Sequence, residues 1–515
     1  MLPKPPFACD LTLEQELAAF EALKRRLPDV WTALTASDDR PCTSVIVPSM
    51  TLDARELCKL TGAPFYEERL LFLLIRLRNP RAHVVYVTSQ PVHPLILEYY
   101  LDMLVGVPAS HARARLTMLC AYDSSPRPLT EKVLERPRLL QRIRWAISDP
   151  SCAYLTVFNS TPLERKLAVL LGIPLNGLDP ELHHLGTKSG SRKVFREAGV
   201  EMPLGIEDLT SEAEVADALI ELRGRSPGIR RAVIKLNDSF SGEGNALFSY
   251  PNETTPGAIR EALLRLEFAV PGDLPDSYFD KLRDMGGVVE EYVQASEIAS
   301  PSAQFRTTPC GEVVLISTHD QILGGTSGQI YLGCRFPAGD DYRLQIQDAG
   351  LRIGRILAQR GVVSRFGVDF LVSRDTPDVP WRVHALEINL RVVGTTHPFL
   401  ALKFLTGGEL DRSTGLFYSI GGRPKYYQAT DNLQHDSYRG MLPEDLVDIF
   451  TANQLHYNPR TESGVLFHLI GAVSQFGKLG LTAIGNSHED AQALYDRTLR
   501  ILEAETTCGR TAPGT

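Results

Sequence analysis

The chain has 515 residues, 43% of them hydrophobic and 23% charged, with a net charge of −8. That length leads to an expectation of about two to four domains, with ample apolar material for large cores. The mild acidity gives no global pull toward nucleic acid and leaves the binding of small anions to local cations and backbone amides.

The first residues, MLPKPPFACD, lack the basic region and apolar run of a signal peptide. To about residue 180, short β-rich runs alternate with amphipathic helices. TSVIVPS (43–49), AHVVYVTS (82–89) and AYLTVFNS (153–160) read as buried parallel strands, with ERLLFLLIRLR and LILEYYLDMLVG as helices between them. The alternation predicts a doubly wound, Rossmann-like α/β domain over 1–183. The apolar run 70–75 is interrupted by Arg76 and Arg78, and nothing reaches the length needed to span a membrane. GIPLNGLDP (172–180) reads as a connection.

A second, α+β region is expected over 184–420. It opens with the helix LGTKSGSRKVFREAGV, followed by SEAEVADALIELRG, where Ser211 and Glu214 have capping-box spacing. RRAVIKL, VVEEYV, GEVVLIST, RFGVDFLV and WRVHALEIN read as strands, and YRLQIQDAGLRIGRILAQRG as a helix ending at Gly361. Residues 421–505 read as a small α/β domain running helix, strand, strand, helix, and 506–515 as a disordered tail. The eight cysteines (Cys9, Cys42, Cys58, Cys120, Cys152, Cys310, Cys334 and Cys508) form no CxxC pair and no zinc-like cluster. They read as reduced residues of a cytoplasmic protein.

Three motifs carry chemistry. The strand RRAVIKL feeds the loop NDSFSGEGNALF, so Lys235 stands beside Ser239, Ser241, Gly242, Glu243 and Gly244. Small residues let backbone N–H groups approach an anion, and a strand lysine places a point charge on a phosphate. This is neither a Walker A loop nor a GxGxxG fingerprint; Gly186-Thr187-Lys188-Ser189 has the wrong order. The second motif, VVEEYVQASE, offers Glu290, Glu291, Tyr292 and Val293 as a hinge against an adenine edge and Glu297 for ribose hydroxyls; an ordinary strand ending in an acidic turn fits it equally. The third places Asp369 on one strand and Glu387 and Asn389 on another, two residues apart and therefore on one face. Three hard oxygen ligands suit Mg2+ whose octahedron is completed by phosphates and water. Arg391 continues the alternation and is positioned to neutralise a transferring phosphoryl group. A Glu387–Arg391 salt bridge is the competing reading.

In this order, Lys188, VIKLNDSFSGEGN, VVEEYV, VDFL and LEINLRVVGTTHP resemble the ATP-grasp superfamily over roughly residues 186–405. The E-x-N-x-R string followed by His397-Pro398 is similar to the metal-binding strand of biotin carboxylases and carboxylate–amine ligases. SPSAQFRTTPCGEVVLISTHDQILGGTSGQIYLGCRFPA (301–338) and GVLFHLIGAVSQFGKLGLTAIG look like the pheganomycin-type peptide ligases. That likeness implies a pre-ATP-grasp domain, an ATP-grasp core and a characteristic C-terminal domain.

The resemblance implies ATP and Mg2+ as cofactors and a C–N ligase that joins a peptide or small-molecule carboxylate to an amine. It would act through an acyl phosphate, release ADP and phosphate, and serve peptide natural-product biosynthesis. By position it implies Lys188 and Lys235 on the phosphates, residues 241–244 over them, Glu290 to Val293 on adenine and Glu297 on ribose. Asp369, Glu387 and Asn389 would bind magnesium, and Arg391 would steady the phosphoryl group. Many relatives carry Glu where Asp369 stands. Arg306 and Asp320 are candidates for the substrate pocket, and a homodimer is admitted. Two rival readings remain: a carboxylase-type enzyme, against which the missing Met-Lys-Met string speaks, and a nucleotide-binding regulator on the same fold.

Overall fold

Three sheets carry the fold in the computed structural model, which describes residues 11–36, 41–52, 54–239, 244–269, 274–324 and 330–508. The first sheet is parallel and built from β1 (Cys42–Val47), β2 (Ala82–Thr88), β3 (Leu116–Cys120) and β4 (Ala153–Val157), in the order β3-β2-β1-β4. Its strands are short apolar runs buried on both faces, as parallel strands covered by helices are. The three expected strands are present; β3, LTMLC, was not anticipated. Residues 63–78 wind as a 3-10 helix, not the α-helix expected for ERLLFLLIRLR. Leu70, Leu71, Leu73, Leu74 and Leu77 are all buried, so the segment is apolar nearly all round and its periodicity does not discriminate.

The second sheet is antiparallel: β5 (Gly205–Leu209), β6 (Arg231–Leu236), β7 (Asn245–Ser249), β8 (Glu267–Phe268) and β9 (Gly287–Glu291), in the order β5-β9-β6-β7-β8. Helix Glu212–Arg225 covers it. Ser211 accepts from the Glu214 N–H, but the Glu214 carboxylate reaches back to Thr210 rather than to Ser211.

The third sheet contains β10 (Glu297–Ala299), β11 (Pro301–Thr307), β12 (Val313–Gly324), β13 (Ile330–Phe336), β14 (Ser364–Arg374), β15 (Arg382–Asn389), β16 (Glu409–Asp411), β17 (Leu416–Tyr418), β18 (Pro424–Gln434), β19 (Gly464–His468) and β20 (Lys478–Gly485). One path runs β10-β14-β11-β12-β13-β18-β17-β16; β15 pairs with β14, and β20 with β18 and β19. On β14 the even residues Phe366, Val368, Phe370 and Val372 are buried against helices Asp340–Gln359 and Lys188–Glu197. Strand alternation therefore turns Arg365 and Asp369 to the opposite, half-open face.

The last region opens on strand β18, where a helix was expected. Helix Pro443–Ala452, β19, β20 and helix His488–Cys508 follow. β18 pairs with β13, so these strands extend the large sheet. They also pack on the first unit: Leu70, Leu74, Phe467, Leu481 and Leu502 share one core. Glu68 is buried there and accepts from the Gly471 N–H at 3.2 Å. Burial, with Glu67 beside it, pushes the Glu68 carboxyl up to about 8.

A carboxyl raised on folding contributes stability that is complete below its unfolded value, about 4.3, and is lost as pH rises through the folded value. Glu68→Gln is therefore expected to raise the urea midpoint above wild type at pH 8.5 and to flatten its decline between pH 5 and 8, measured by circular dichroism.

Candidate active site

The site lies where helix Lys188–Glu197 passes between the second and third sheets. Thr187 caps this helix by accepting from the Gly190 N–H at 3.0 Å. Lys188 and Arg192 are one turn apart and face the same way. Lys188 Nζ pairs with Glu387 Oε2 on β15. Arg192 Nη1 donates to Glu290 Oε1 on β9 at 2.7 Å, and its Nε to Glu207 at 3.1 Å. Ser191, between them, accepts from the Ile388 N–H at 3.0 Å.

Lys235 Nζ lies 2.6 Å from the other oxygen of Glu290. Glu290 is thus a buried carboxylate held between two cations. Burial would push its carboxyl up, but the charges of Lys235 and Arg192 outweigh it and hold the group below the ordinary carboxylate range. Its backbone pairs with Gly205 on one side and Val233 on the other. Both its backbone and its carboxylate are engaged within the protein, and it holds Lys235 in place. Glu291 accepts from the Leu204 N–H at 2.9 Å, and the Tyr292 N–H donates to Arg231 O while its ring lies under the Arg231 guanidinium. Val293 lies just past the strand end. Glu297 opens β10 and accepts from Arg374 Nε at 2.7 Å.

Asp369 and Glu387 are direct cross-strand partners, and Gly367 stands opposite Asn389. Asn389 Nδ2 donates to Asp369 Oδ2 at 3.0 Å and to Glu387 Oε1 at 3.1 Å, while its Oδ1 accepts from Arg391 Nη2 at 2.9 Å. Gln321 Nε2 donates to Asp369 Oδ1 at 2.8 Å. Burial and the facing Glu387 push the Asp369 carboxyl up to about 8. Burial acts on Glu387 in the same sense, but Lys188 overrides it and holds that carboxyl down.

Two opposed carboxylates, one of them forced toward its protonated form, are the environment a divalent cation relieves. Among the described residues no cluster of three or more His, Cys, Asp or Glu converges. Asn389 fits as a third oxygen ligand only after its amide turns over.

Ser241, Gly242 and Glu243 lie outside the described residues. Gly244 closes the β6–β7 hairpin, its carbonyl accepting from the Leu236 N–H and the Tyr278 hydroxyl. Asp320 is not brought to the site. Its carboxylate accepts from the Gly339 N–H and the Tyr342 hydroxyl at the start of helix Asp340–Gln359. Arg306 lies at a distance from the carboxylate pair, on β11 opposite Arg365, where it lines a cavity of about 40 Å3 with Arg391. The sequence reading missed Arg192, whose signal was its i,i+4 spacing from Lys188, and Gln321, which gave none.

Breaking a buried ion pair on one side leaves the other charge uncompensated, at a cost of about 3–5 kcal/mol. Arg192→Met is expected to lower unfolding free energy by about that amount and to weaken nucleotide binding through Lys235. Urea unfolding and calorimetric titration with ADP measure the two effects.

Residues 180–252 and 275–413 match the family described as IQCH-like, ATP-grasp, and residues 445–498 match the PGM1 C-terminal domain. The L-propargylglycine–L-glutamate ligase of Streptantibioticus cattleyicolor is 31% identical over 90% of this chain and 94% of its own. IQ motif-containing protein H of Danio rerio is 22% identical over 95% of this chain, which spans 51% of that protein's length. Among solved structures, the biotin carboxylase domain of Hydrogenobacter thermophilus 2-oxoglutarate carboxylase, with MgADP and bicarbonate, superposes with a TM-score of 0.52 at 12% identity. It covers 90% of this chain and 89% of that one. An ADP complex of N5-carboxyaminoimidazole ribonucleotide synthetase gives a TM-score of 0.51 at 10% identity, covering 90% and 97%. At such identities these two likenesses speak for the fold alone.

Proposed function

This chain belongs to the ATP-grasp carboxylate–amine ligases, and on that premise we propose that it joins the carboxylate of an amino acid or short peptide to an amine through an acyl phosphate. ADP and phosphate are the products. The observation that carries the reading is the direct opposition of Asp369 and Glu387 beside the Lys188 ammonium. The name of the Streptantibioticus relative, which pairs propargylglycine with glutamate, supports amino-acid substrates and a place in peptide natural-product biosynthesis.

In this reading Lys188 and Lys235 hold the phosphates of ATP, with Glu290 and Arg192 fixing the position of Lys235. The segment 241–244 covers the phosphates. The adenine edge falls to the chain beyond Glu290, at Glu291, Tyr292 and Val293, and Glu297 takes the ribose while sharing its carboxylate with Arg374. Asp369, Glu387 and a turned Asn389 would hold Mg2+, which when bound supplies positive charge to the phosphate oxygens. Arg391, tethered to Asn389, reaches the same space and steadies charge on the γ-phosphoryl group and then on the tetrahedral adduct. Arg306 belongs to the pocket for the acid.

Phosphoryl transfer gives a poor electrophile a good leaving group, and it requires alignment and charge neutralisation more than covalent help. No helix among the described residues is long and apolar enough to cross a membrane. The six described cysteines are free.

ADP formation should require both an acid and an amine. Glu387→Gln should lower that turnover by about 100-fold or more. AMP and pyrophosphate as products, detected by chromatography, would overturn the phosphoryl-transfer assignment.

A further inference from the structure

The cavity shared by Arg391 and Arg306 has a composition that the phosphate chemistry does not use. It lies between the end of β4 at residues 156–160, the 3-10 segment Ala63–Arg78, the connection at 176–178 and strands β11 and β14. Arg76, Arg306, Arg365 and Arg391 all line it, and no Asp or Glu does.

Arg306 and Arg365 are cross-strand partners, so two guanidinium groups leave adjacent strands on one face. Arg306 donates to Asn176 Oδ1 at 2.9 Å and stacks over the Trp31 ring at 4.1 Å. Arg76 stacks over Tyr154 at 5.1 Å, and its Nε is buried without a hydrogen-bond partner. Among the described residues none of Arg76, Arg306 and Arg365 forms an ion pair with a carboxylate. Burial and mutual repulsion push the Arg306 guanidinium down to about 9 and that of Arg365 to about 10. Three like charges converging in a partly dry space are unfavourable unless an anion completes the set.

Position names that anion. Arg365 and Asp369 lie four residues apart on one strand face, about 13 Å at the rise of a strand. Arg391 joins the two places: its guanidinium contacts Asn389, and the same residue lines the cavity. The Val392 N–H donates to Phe158 O, fixing this end of the metal-bearing segment against β4.

We propose that the cavity of Arg76, Arg306 and Arg365 binds the second anionic group of the acid substrate, so that the acid this enzyme activates is a dicarboxylate or carries a comparable anionic tail. The inference rests on the ligase reading above. The carboxylate to be phosphorylated lies at Arg391, and the distal anion anchors the molecule among the three arginines. Guanidinium forks suit this task because each donates two parallel hydrogen bonds to a carboxylate.

The test uses the full chain with MgATP and hydroxylamine as the amine, reading hydroxamate and phosphate. Hydroxylamine has no carboxylate, so only the acid can use the arginines. L-glutamate is compared with 4-aminobutyrate, and glutarate with butyrate. The dicarboxylates should be turned over and the monocarboxylates should not. Arg365→Met and Arg306→Met should each raise KM for the dicarboxylate by about 10- to 100-fold, with smaller changes in kcat and in KM for ATP. Arg365→Lys should recover part of the loss.

Equal use of monocarboxylates would overturn this inference and leave the ligase reading standing. Absence of hydroxamate from any acid would overturn both. A change in R365M confined to selectivity among amino-acid nucleophiles would assign the arginines to the amine and overturn the inference. If the methionine variants do not fold, the wild-type melting point decides it. A rise with glutarate that butyrate does not produce supports the inference, and equal responses overturn it.

Discussion

Two cations one helical turn apart hold the catalytic geometry together. Lys188 reaches a carboxylate on the third sheet and Arg192 one on the second, from a helix wedged between them. Each partner is itself part of the working site: Glu387 belongs to the candidate metal pair and Glu290 orients Lys235. The relative position of the two sheets is therefore tied to the ion pairs of Glu387 and Glu290. With an aliphatic residue at 192 the sheets would still pack, but Lys235 would be held by a carboxylate free to turn. The remaining backbone links, Ser189 N–H to Asn237 and Ile388 N–H to Ser191, tie the same helix to the loop after β6 and to β15.

The first and last parts of the chain close around this core by contacts of their own. Arg69 of the 3-10 segment donates to Asp431 on β18 at 2.8 Å, and Tyr99 of helix Pro94–Asp102 accepts from the Phe467 N–H on β19 at 3.1 Å. The shared apolar core between residues 70–77 and strands β19 and β20 makes the C-terminal strands a wall against the parallel-sheet unit. Its consequence is functional. The 3-10 segment is pressed toward β11 and β14 and carries Arg76 into the cavity that Arg306 and Arg365 line. The cavity is thus made by stretches remote from one another in sequence, and its charge is a property of the assembled chain.

That division explains what was readable from sequence. Strand alternation put Asp369 opposite Glu387 and Asn389 on the same face, because period two is a local rule and the two strands are near in sequence. The place of Lys235 on β6 was legible for the same reason. The partners of Glu290 were not legible, because VVEEYV shows an acid on a strand without showing what lies on either side. Only the order β5-β9-β6 reveals that its backbone is engaged twice, and only helix Lys188–Glu197 reveals its second cation. The partner of Asp320, the start of helix Asp340–Gln359, was hidden likewise, because it lies beyond the next strand. Arg76 was in plain view as a charge interrupting an apolar run. In the fold, that run lies beneath the cavity and the arginine is the part that reaches it.

The charges at the two ends of the cavity explain why both are tolerated. Around Asp369 and Glu387 two carboxylates meet Lys188 and Arg391, so negative charge is nearly matched before any ligand arrives. Around Arg306 and Arg365 positive charge is unmatched, and partial burial limits what water can screen. A substrate with two anionic ends would find one end where charge is balanced and the chemistry occurs, and the other where charge is missing. Binding energy gained at the second end would orient the first, at Arg391, against the γ-phosphate. That separation lets remote contacts fix alignment while the reacting oxygen stays free to attack.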